Sequence, residues 1–328
     1  MRDMMLHKFW GDRPIIRMEM LARSLAVGTL MSFGSAATAI AEPLADISLG
    51  NTPLRNQEIT AGTVSVRILE FEPINFATDE TPYLSYEVYV DGKFQTEVRQ
   101  EVDFMFADFR LQNLDPDGIP EVIFHRYTGG AHCCSIYTIY SVQGNDLHRT
   151  ITYPLDAAAA GGFEDLDGDG YSEFLSADQR FLYAFGSYAS SWPPVVTLTF
   201  RHGSLIDTTR QFSEDMRSNA YGMYEQTRES TLDEPKLGAN SILAGYVAQK
   251  ILMDEYASGW DYMLAHYDPT DNWGLTEYNS SGEGIDTLVD FPAALESFLI
   301  DLDYLVFNGS PNPNLDLSRV VVEQEALL

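Results

Sequence analysis

The chain has 328 residues, with 20 basic against 49 acidic residues, a net charge of −29, and 45% hydrophobic and 12% aromatic content. So acidic a surface repels nucleic-acid phosphates and anionic membranes and attracts divalent cations. The apolar and aromatic content excludes a disordered chain, because it is enough to build a buried core.

Residues 1–41 are read as a signal peptide and set aside from the fold. Arg17 and Arg23 precede the apolar stretch Leu25-Ala-Val-Gly-Thr-Leu-Met-Ser-Phe33, and Ala39-Ile40-Ala41 supplies the small residues of a cleavage site, placing the cut between Ala41 and Glu42. The charged segment is long for such a leader, so Met18 or Met20 is an alternative start. Glu42 is not a cysteine, which argues against a lipoprotein anchor, and no later segment has the roughly 18 apolar residues of a membrane span. The leader holds Arg2, Lys8, Arg13, Arg17 and Arg23 against Asp3, Asp12 and Glu19, so the mature chain is more acidic still. A periplasmic or extracellular location is expected.

Residues 42–60, with Pro43, Gly50 and Pro53, read as a linker. Strand patterning starts at Val64, where Val64-Ser-Val-Arg-Ile68 alternates with period two. Tyr83 to Val90, then Asp91-Gly92, then Phe94 onward is a hairpin signal of the type I′ kind. Phe104–Leu111, Val122–Tyr127, Ile136–Val142 and Leu147–Tyr153 predict a meander, with a turn at Gly144-Asn145. Phe174–Ser176, Phe181–Phe185, Val195–Phe200 and Leu205–Thr209 repeat the order, the last pair turning at His202-Gly203. The internal repeat covers 103–155 and 156–212. Beyond Phe212 the period becomes helical. Ser213 caps a first helix carrying Met216, Ala220, Met223 and Tyr224 on one face, and a second runs from Ser241. Asp290 before Phe291-Pro292 caps a third, which Asn308-Gly309-Ser-Pro311 stops. Residues 256–279 read as helix-linking loops; Trp260, Tyr262, Tyr267 and Trp273, with Trp192, are read as core anchors, the alternative being the lining of a carbohydrate or peptide groove, and Arg319–Val322 read as a late strand. The predicted class is α+β, a β-rich domain over 61–212 followed by a mainly helical region over 213–328.

Two acidic stretches interrupt the meanders at equivalent places. Asp165-Leu-Asp167-Gly-Asp169-Gly170-Tyr171-Ser-Glu173 puts acidic oxygens at positions 1, 3, 5 and 9 and a glycine at position 6; Asn113-Leu-Asp115-Pro-Asp117-Gly118-Ile119-Pro-Glu121 keeps the register. A hard cation that takes several oxygens at about 2.3–2.6 Å suits this pattern, which means calcium. An EF-hand would need Glu at position 12, where this chain has Ser176 and Phe124, and the residues that follow each loop read as strands. Asp and Gly also favour turns without metal, so a metal-free loop is the competing reading.

A loop between two strands closed by an acidic residue at position 9 resembles the calcium loop of FG-GAP or VCBS-type repeats, the blade units of integrin-like β-propellers. The resemblance covers roughly 113–212. It implies side-chain ligands at positions 1, 3, 5 and 9 and a main-chain carbonyl at position 7. In this chain those are Asp165, Asp167, Asp169, Tyr171 (main chain) and Glu173, and Asn113, Asp115, Asp117, Ile119 (main chain) and Glu121. The chain departs from the family in that Gly129-Gly130-Ala131-His132 comes late and lacks the proline of the family's Gly-Ala-Pro element. Pairing Gly-Gly-Ala-His-Cys-Cys with Asp loops also resembles an uncharacterised group of bacterial secreted proteins.

The two cysteines, Cys133 and Cys134, are adjacent. In an oxidising compartment they are expected to form a vicinal disulfide. Neighbouring Cα atoms lie about 3.8 Å apart, below the usual disulfide range, so such a bond is comparatively easy to reduce. A redox switch and a soft-metal site using His132 with both sulfurs stay open beside a structural turn. The chain has no Gly-x-Ser-x-Gly elbow, His-Glu-x-x-His, P-loop or dinucleotide fingerprint. The expectation is a secreted, non-catalytic calcium-binding module with a protein or glycan partner; the alternative is an envelope enzyme or redox protein centred on His132-Cys133-Cys134.

Overall fold

The computed structural model describes residues 43–75, 81–144, 146–275 and 289–323. The leader with its cleavage site, and Asn145 of the expected turn, lie outside the described residues. The chain is α+β, with antiparallel sheets first and helices after them.

Strands β1 (Ala45–Leu49), β2 (Leu54–Ala61), β3 (Val64–Glu72), β4 (Tyr83–Val90) and β5 (Lys93–Glu101) open the fold. The next are β6 (Phe106–Gln112), β7 (Glu121–Tyr127), β8 (Ser135–Gln143) and β9 (Asp146–Ile151). The last are β10 (Phe163–Glu164), β11 (Glu173–Ala177), β12 (Val195–Arg201) and β13 (Ser204–Asp207). They pair as three sheets, β2-β3-β4-β5, β1-β6-β7-β8-β9 and β10-β11-β12-β13. Each therefore contains a four-stranded meander, and the expected two-unit repeat is preceded by a third unit of the same strand order. The Asp91-Gly92 turn joins Val90 to Lys93 with positive φ at both residues, and His202-Gly203 does the same between β12 and β13.

The central strands of the middle sheet, β7 and β8, are buried on both faces. Successive strand residues point to opposite sides, so Val122 and Phe124 of β7 and Tyr140 of β8 pack with Val66, Ile68, Leu84, Tyr86 and Val88 of the first sheet. Ile123, Tyr137 and Ile139 face the other way, into the cluster formed by Phe174, Leu198 and Phe200 of the third sheet. Ring contacts join the layers on each side, Tyr86 to Phe109 at 4.8 Å and Tyr137 to Phe174 at 5.1 Å. A strand buried on both sides carries apolar residues at successive positions, as at Val122-Ile123-Phe124 of β7 and Ile136-Tyr137 and Ile139-Tyr140 of β8.

The helices are α1 (Ser213–Thr227), α2 (Ala239–Leu252), α3 (Tyr256–His266), α4 (Phe291–Asp301) and the short α5 (Ser318–Val321). Leu243, Val247 and Ile251 of α2, with Leu295 and Leu299 of α4, belong to the same apolar cluster as the third sheet, so the helical region packs onto the β region. Gly245 lets α2 meet the Trp192 carbonyl, where a Cβ would lie within 1.9 Å. Asp290 caps α4 by accepting from the Ala293 amide at 3.0 Å, with Pro292 in the first turn, as its sequence predicts.

Five expectations are corrected. Residues 42–60 are not a linker, since β1 pairs with β6 and β2 with β3; Ala45-Asp-Ile-Ser-Leu49 does alternate, but β2 presents mostly polar residues at an edge. Residues 181–185 are not a strand but continue from a 3-10 turn over Gln179–Phe181, fixed by the Asp178 side chain. Residues 256–266 form α3 rather than a loop, and 318–321 form α5 rather than a strand. On α1 the buried face runs through Met216, Ala220, Met223 and Thr227, leaving Tyr224 exposed.

The double burial of the middle sheet sets a measurable contrast. Phe124→Ala removes a ring that contacts Phe109 at 4.5 Å and Tyr86 at 5.7 Å, and is expected to lower the unfolding free energy by about 3–5 kcal/mol. Phe94→Ala, at a side chain 55% exposed, should change it by less than about 0.5 kcal/mol. Urea unfolding of the two variants checks both values.

Candidate metal centre

The two acidic loops occupy the same hairpin position in consecutive meanders, one between β6 and β7 and the other between β10 and β11. Their closing glutamates are the first residues of β7 and β11 and are both 1% exposed. Each folds back on its own loop in the same way. Glu121 Oε2 accepts from the Leu114 amide at 2.8 Å, and Glu173 Oε2 accepts from the Leu166 amide at 2.9 Å. Thr199 Oγ1 donates to Glu173 Oε1 at 3.1 Å. The remaining acidic side chains set the turns by accepting main-chain amides. Asp115 takes Asp117, Asp117 takes Ile119, Asp165 takes Gly168 and Gly170, Asp167 takes Asp169, and Asp169 takes Tyr171.

One carboxylate oxygen from each of Asp115, Asp117 and Glu121 lies within 4.8 Å of the others, and so does one from each of Asp165, Asp167 and Glu173. Oxygens about 2.3–2.6 Å from one calcium ion are separated by at most about 5 Å, so either trio has the spacing to share a cation. Among the described residues these are the groups of three or more metal-ligating side chains that converge in this way. Asp169 stands apart from its trio and faces Arg201 at 3.4 Å, while the Arg201 guanidinium lies 4.6 Å over the Tyr171 ring. Asn113 is exposed at the start of the first loop.

Burial of acidic groups side by side has an electrostatic cost. Burial pushes the Glu121 carboxyl up to about 8, with Asp115 and Asp117 adding to the rise against the Leu114 hydrogen bond. Asp115 and Glu173 are raised for the same leading reason, burial, each with neighbouring aspartates adding to it. The loops also touch each other. Ser172 donates its amide to the Leu114 carbonyl at 2.8 Å, and Gly170, at φ +90°, lies against Pro116. Leu114 therefore bonds Glu121 through its nitrogen and the second loop through its oxygen. Gly62, in the β2–β3 turn, packs against Pro120, so the first turns of all three meanders meet at one end of the sheets.

The histidines near the cysteine pair enter two separate networks. His125 lies between Asp108 and Ser135, 3.1 Å from each. His132 Nδ1 is 2.6 Å from Asp156 Oδ2, and its ring stacks on Tyr188 at 4.1 Å; the Tyr188 hydroxyl donates to Asp156 Oδ1 at 2.5 Å. Burial and the neighbouring Asp156 raise the Tyr188 hydroxyl, keeping it a donor. Cys133 and Cys134 are joined to each other. Asp108, Asp156 and Tyr188 carry no spacing signal, because each reaches its histidine across the fold rather than along the chain. Trp192 sits in the core with its indole N–H on Asn219, whereas Trp273 is exposed and bonded to the Tyr183 carbonyl.

A family model described as the sll0997 C-terminal domain matches residues 216–303, which span α1 to α4. The chain is 31% identical over 237 residues to the probable thylakoid lumen protein sll0997 of Synechocystis sp., covering 68% of this chain and 69% of that protein. It is 32% identical over 225 residues to the uncharacterized protein y4bJ of Sinorhizobium fredii, covering 65% of this chain but 34% of that longer protein. No solved structure matches.

The raised Glu121 carboxyl has a pH signature in the chelated protein. A carboxyl held above its unfolded value stabilises the fold fully below that value, near 4.3, and the contribution is lost as pH rises toward about 8. In EDTA the unfolding midpoint should therefore fall between about pH 5 and 8. Glu121→Gln, permanently neutral, should flatten that slope in thermal unfolding followed by circular dichroism.

Proposed function

This chain belongs to the family of the probable thylakoid lumen protein sll0997, and from that premise we propose that it is an extracytoplasmic, non-catalytic calcium-binding protein. In this reading it works as a protein- or glycan-binding module whose Asp loops hold the metal. The observation that carries the proposal is the convergence of two aspartates in each loop on a buried glutamate at the mouth of a strand. Calcium would neutralise groups that otherwise repel one another, and its preference for several oxygens matches carboxylate trios supplemented by main-chain carbonyls and water. Asp115, Asp117 and Glu121 would hold one ion, and Asp165, Asp167 and Glu173 the other. The FG-GAP-like reading gains support from the placement of each loop between the first two strands of a four-stranded meander. The lumenal name of the Synechocystis relative and the expected leader both support a compartment across a membrane from the site of synthesis. Among the described residues no helix is long and apolar enough to cross a membrane.

A periplasmic or extracellular setting would supply calcium at the millimolar level that such modules require, with Kd around 10⁻⁴–10⁻³ M. The metal would then be structural rather than a signal. Using Glu121 and Glu173 as an acid–base pair is disfavoured, since each accepts a main-chain amide within its own loop. The second reading, centred on His132-Cys133-Cys134, is favoured by the His132–Asp156–Tyr188 network beside the cysteines. It points to sulfur chemistry rather than a soft metal, because disulfide sulfurs offer no thiolate.

Thermal unfolding in EDTA and then in 10 mM calcium tests the proposal. Two sites at 10–100 times Kd together stabilise by about 3–5 kcal/mol, a rise in midpoint of roughly 5–10 °C. Magnesium should not reproduce the rise. Asp167→Ala should lower the midpoint in calcium and leave it nearly unchanged in EDTA; an equal loss in both buffers would contradict a metal role.

A further inference from the structure

We propose that Cys133–Cys134 is a thiol–disulfide exchange site for a dithiol reductant, and that its reduction opens a clasp between the two loop-bearing meanders. The two sulfurs have different surroundings. Cys133 is exposed, and the residues leading to it, Gly129, Gly130 and Ala131, are exposed and nearly without side chains. Cys134 is buried, and its backbone is held on both sides by Thr128, the amide on Thr128 Oγ1 and the carbonyl on the Thr128 amide, each at 2.9 Å. An incoming thiolate thus reaches Cys133 and finds Cys134 as the leaving group.

The exchange balances in two steps. A thiolate of the reductant bonds to Cys133 Sγ as the Cys133–Cys134 bond breaks, and Cys134 leaves with the electron pair and takes a proton from solvent. The reductant's second thiol, once deprotonated, displaces Cys133, which is protonated in turn. Two electrons pass to the protein, and the reductant departs as its own disulfide.

What the bond restrains is the turn that crosses between repeats. This turn joins β7 to β8 in the middle sheet and is held there by Thr128, but it also reaches the start of the next repeat. The His132 carbonyl accepts from the Ala157 amide at 2.6 Å, and the His132 ring bonds Asp156. Asp156 is also bonded by Tyr188, and its amide donates to Gln179 Oε1 at 2.9 Å. One residue, Asp156, therefore ties the cysteine turn to two segments of the second repeat. A cross-link on the two residues after His132 limits the backbone states of the turn that presents it, and reduction lifts that limit.

The test uses the full chain with dithiothreitol as the reductant, maleimide trapping read by mass, and hydrogen exchange read by segment. Dithiothreitol should expose two thiols in the folded protein and speed amide exchange over 156–160 by about tenfold, leaving 64–72 and 83–90 unchanged. His132→Ala should speed the same segment while the disulfide is intact. The Cys133→Ser/Cys134→Ser double variant should show fast exchange that dithiothreitol does not alter. Cysteines that resist the dithiol until global unfolding overturn the proposal. So does reduction without faster exchange over 156–160, or a His132→Ala protein that exchanges as the parent does.

Discussion

The centre of the middle sheet, buried on both faces, is the constraint on which the other layers depend. β7 and β8 have almost no solvent side, so they carry apolar residues at successive positions, and each face needs a partner layer. The first meander covers Phe124 and Tyr140, and the third covers Ile123 and Tyr137. The helices then join the cluster that holds the third sheet. Loss of either layer would expose the middle sheet. The apolar burial lies between the sheets and the charge is left outside.

Stacking similar meanders brings their first turns together at one end. Where the first meander has the small turn at Gly62, the other two have Asp loops, and the Leu114 carbonyl on the Ser172 amide joins those loops directly. Carboxylates concentrated there cannot all be charged cheaply, as the raised Glu121 carboxyl shows. Under the proposed calcium binding, a divalent cation would resolve that conflict in place. The same stacking puts the cysteine turn against Asp156, at the junction where the second repeat begins.

Local signals in the sequence sufficed for elements whose geometry is set by neighbours along the chain. Asp91-Gly92 forces a tight hairpin, Asp290 before Phe291-Pro292 caps a helix, and the alternating aspartates with Gly118 and Gly170 define loops. The carboxylate trios were legible in part: spacing brought out Asp115, Asp117, Glu121, Asp165, Asp167 and Glu173, while the pairing of Asp169 with Arg201 depends on β12 crossing beside the loop. Elements fixed by distant contacts were not legible. β2 is polar because it lies at an edge, and its strand state comes from pairing with β3. α3 carries Gly259, a poor helix residue, because it passes close to Lys250 of α2, where a Cβ would come within 2.6 Å. Asp156 and Tyr188 reach His132 only through the fold.

The central claim is that two adjacent loops hold calcium and are linked through Leu114. Calorimetric titration of calcium into chelator-stripped protein tests it most directly. The account predicts two bound ions per chain. It also predicts that Glu173→Gln removes one of them and weakens the other, since the Ser172–Leu114 bond joins the loops. No saturable heat, or a stoichiometry that Glu121→Gln and Glu173→Gln leave unchanged, would contradict it.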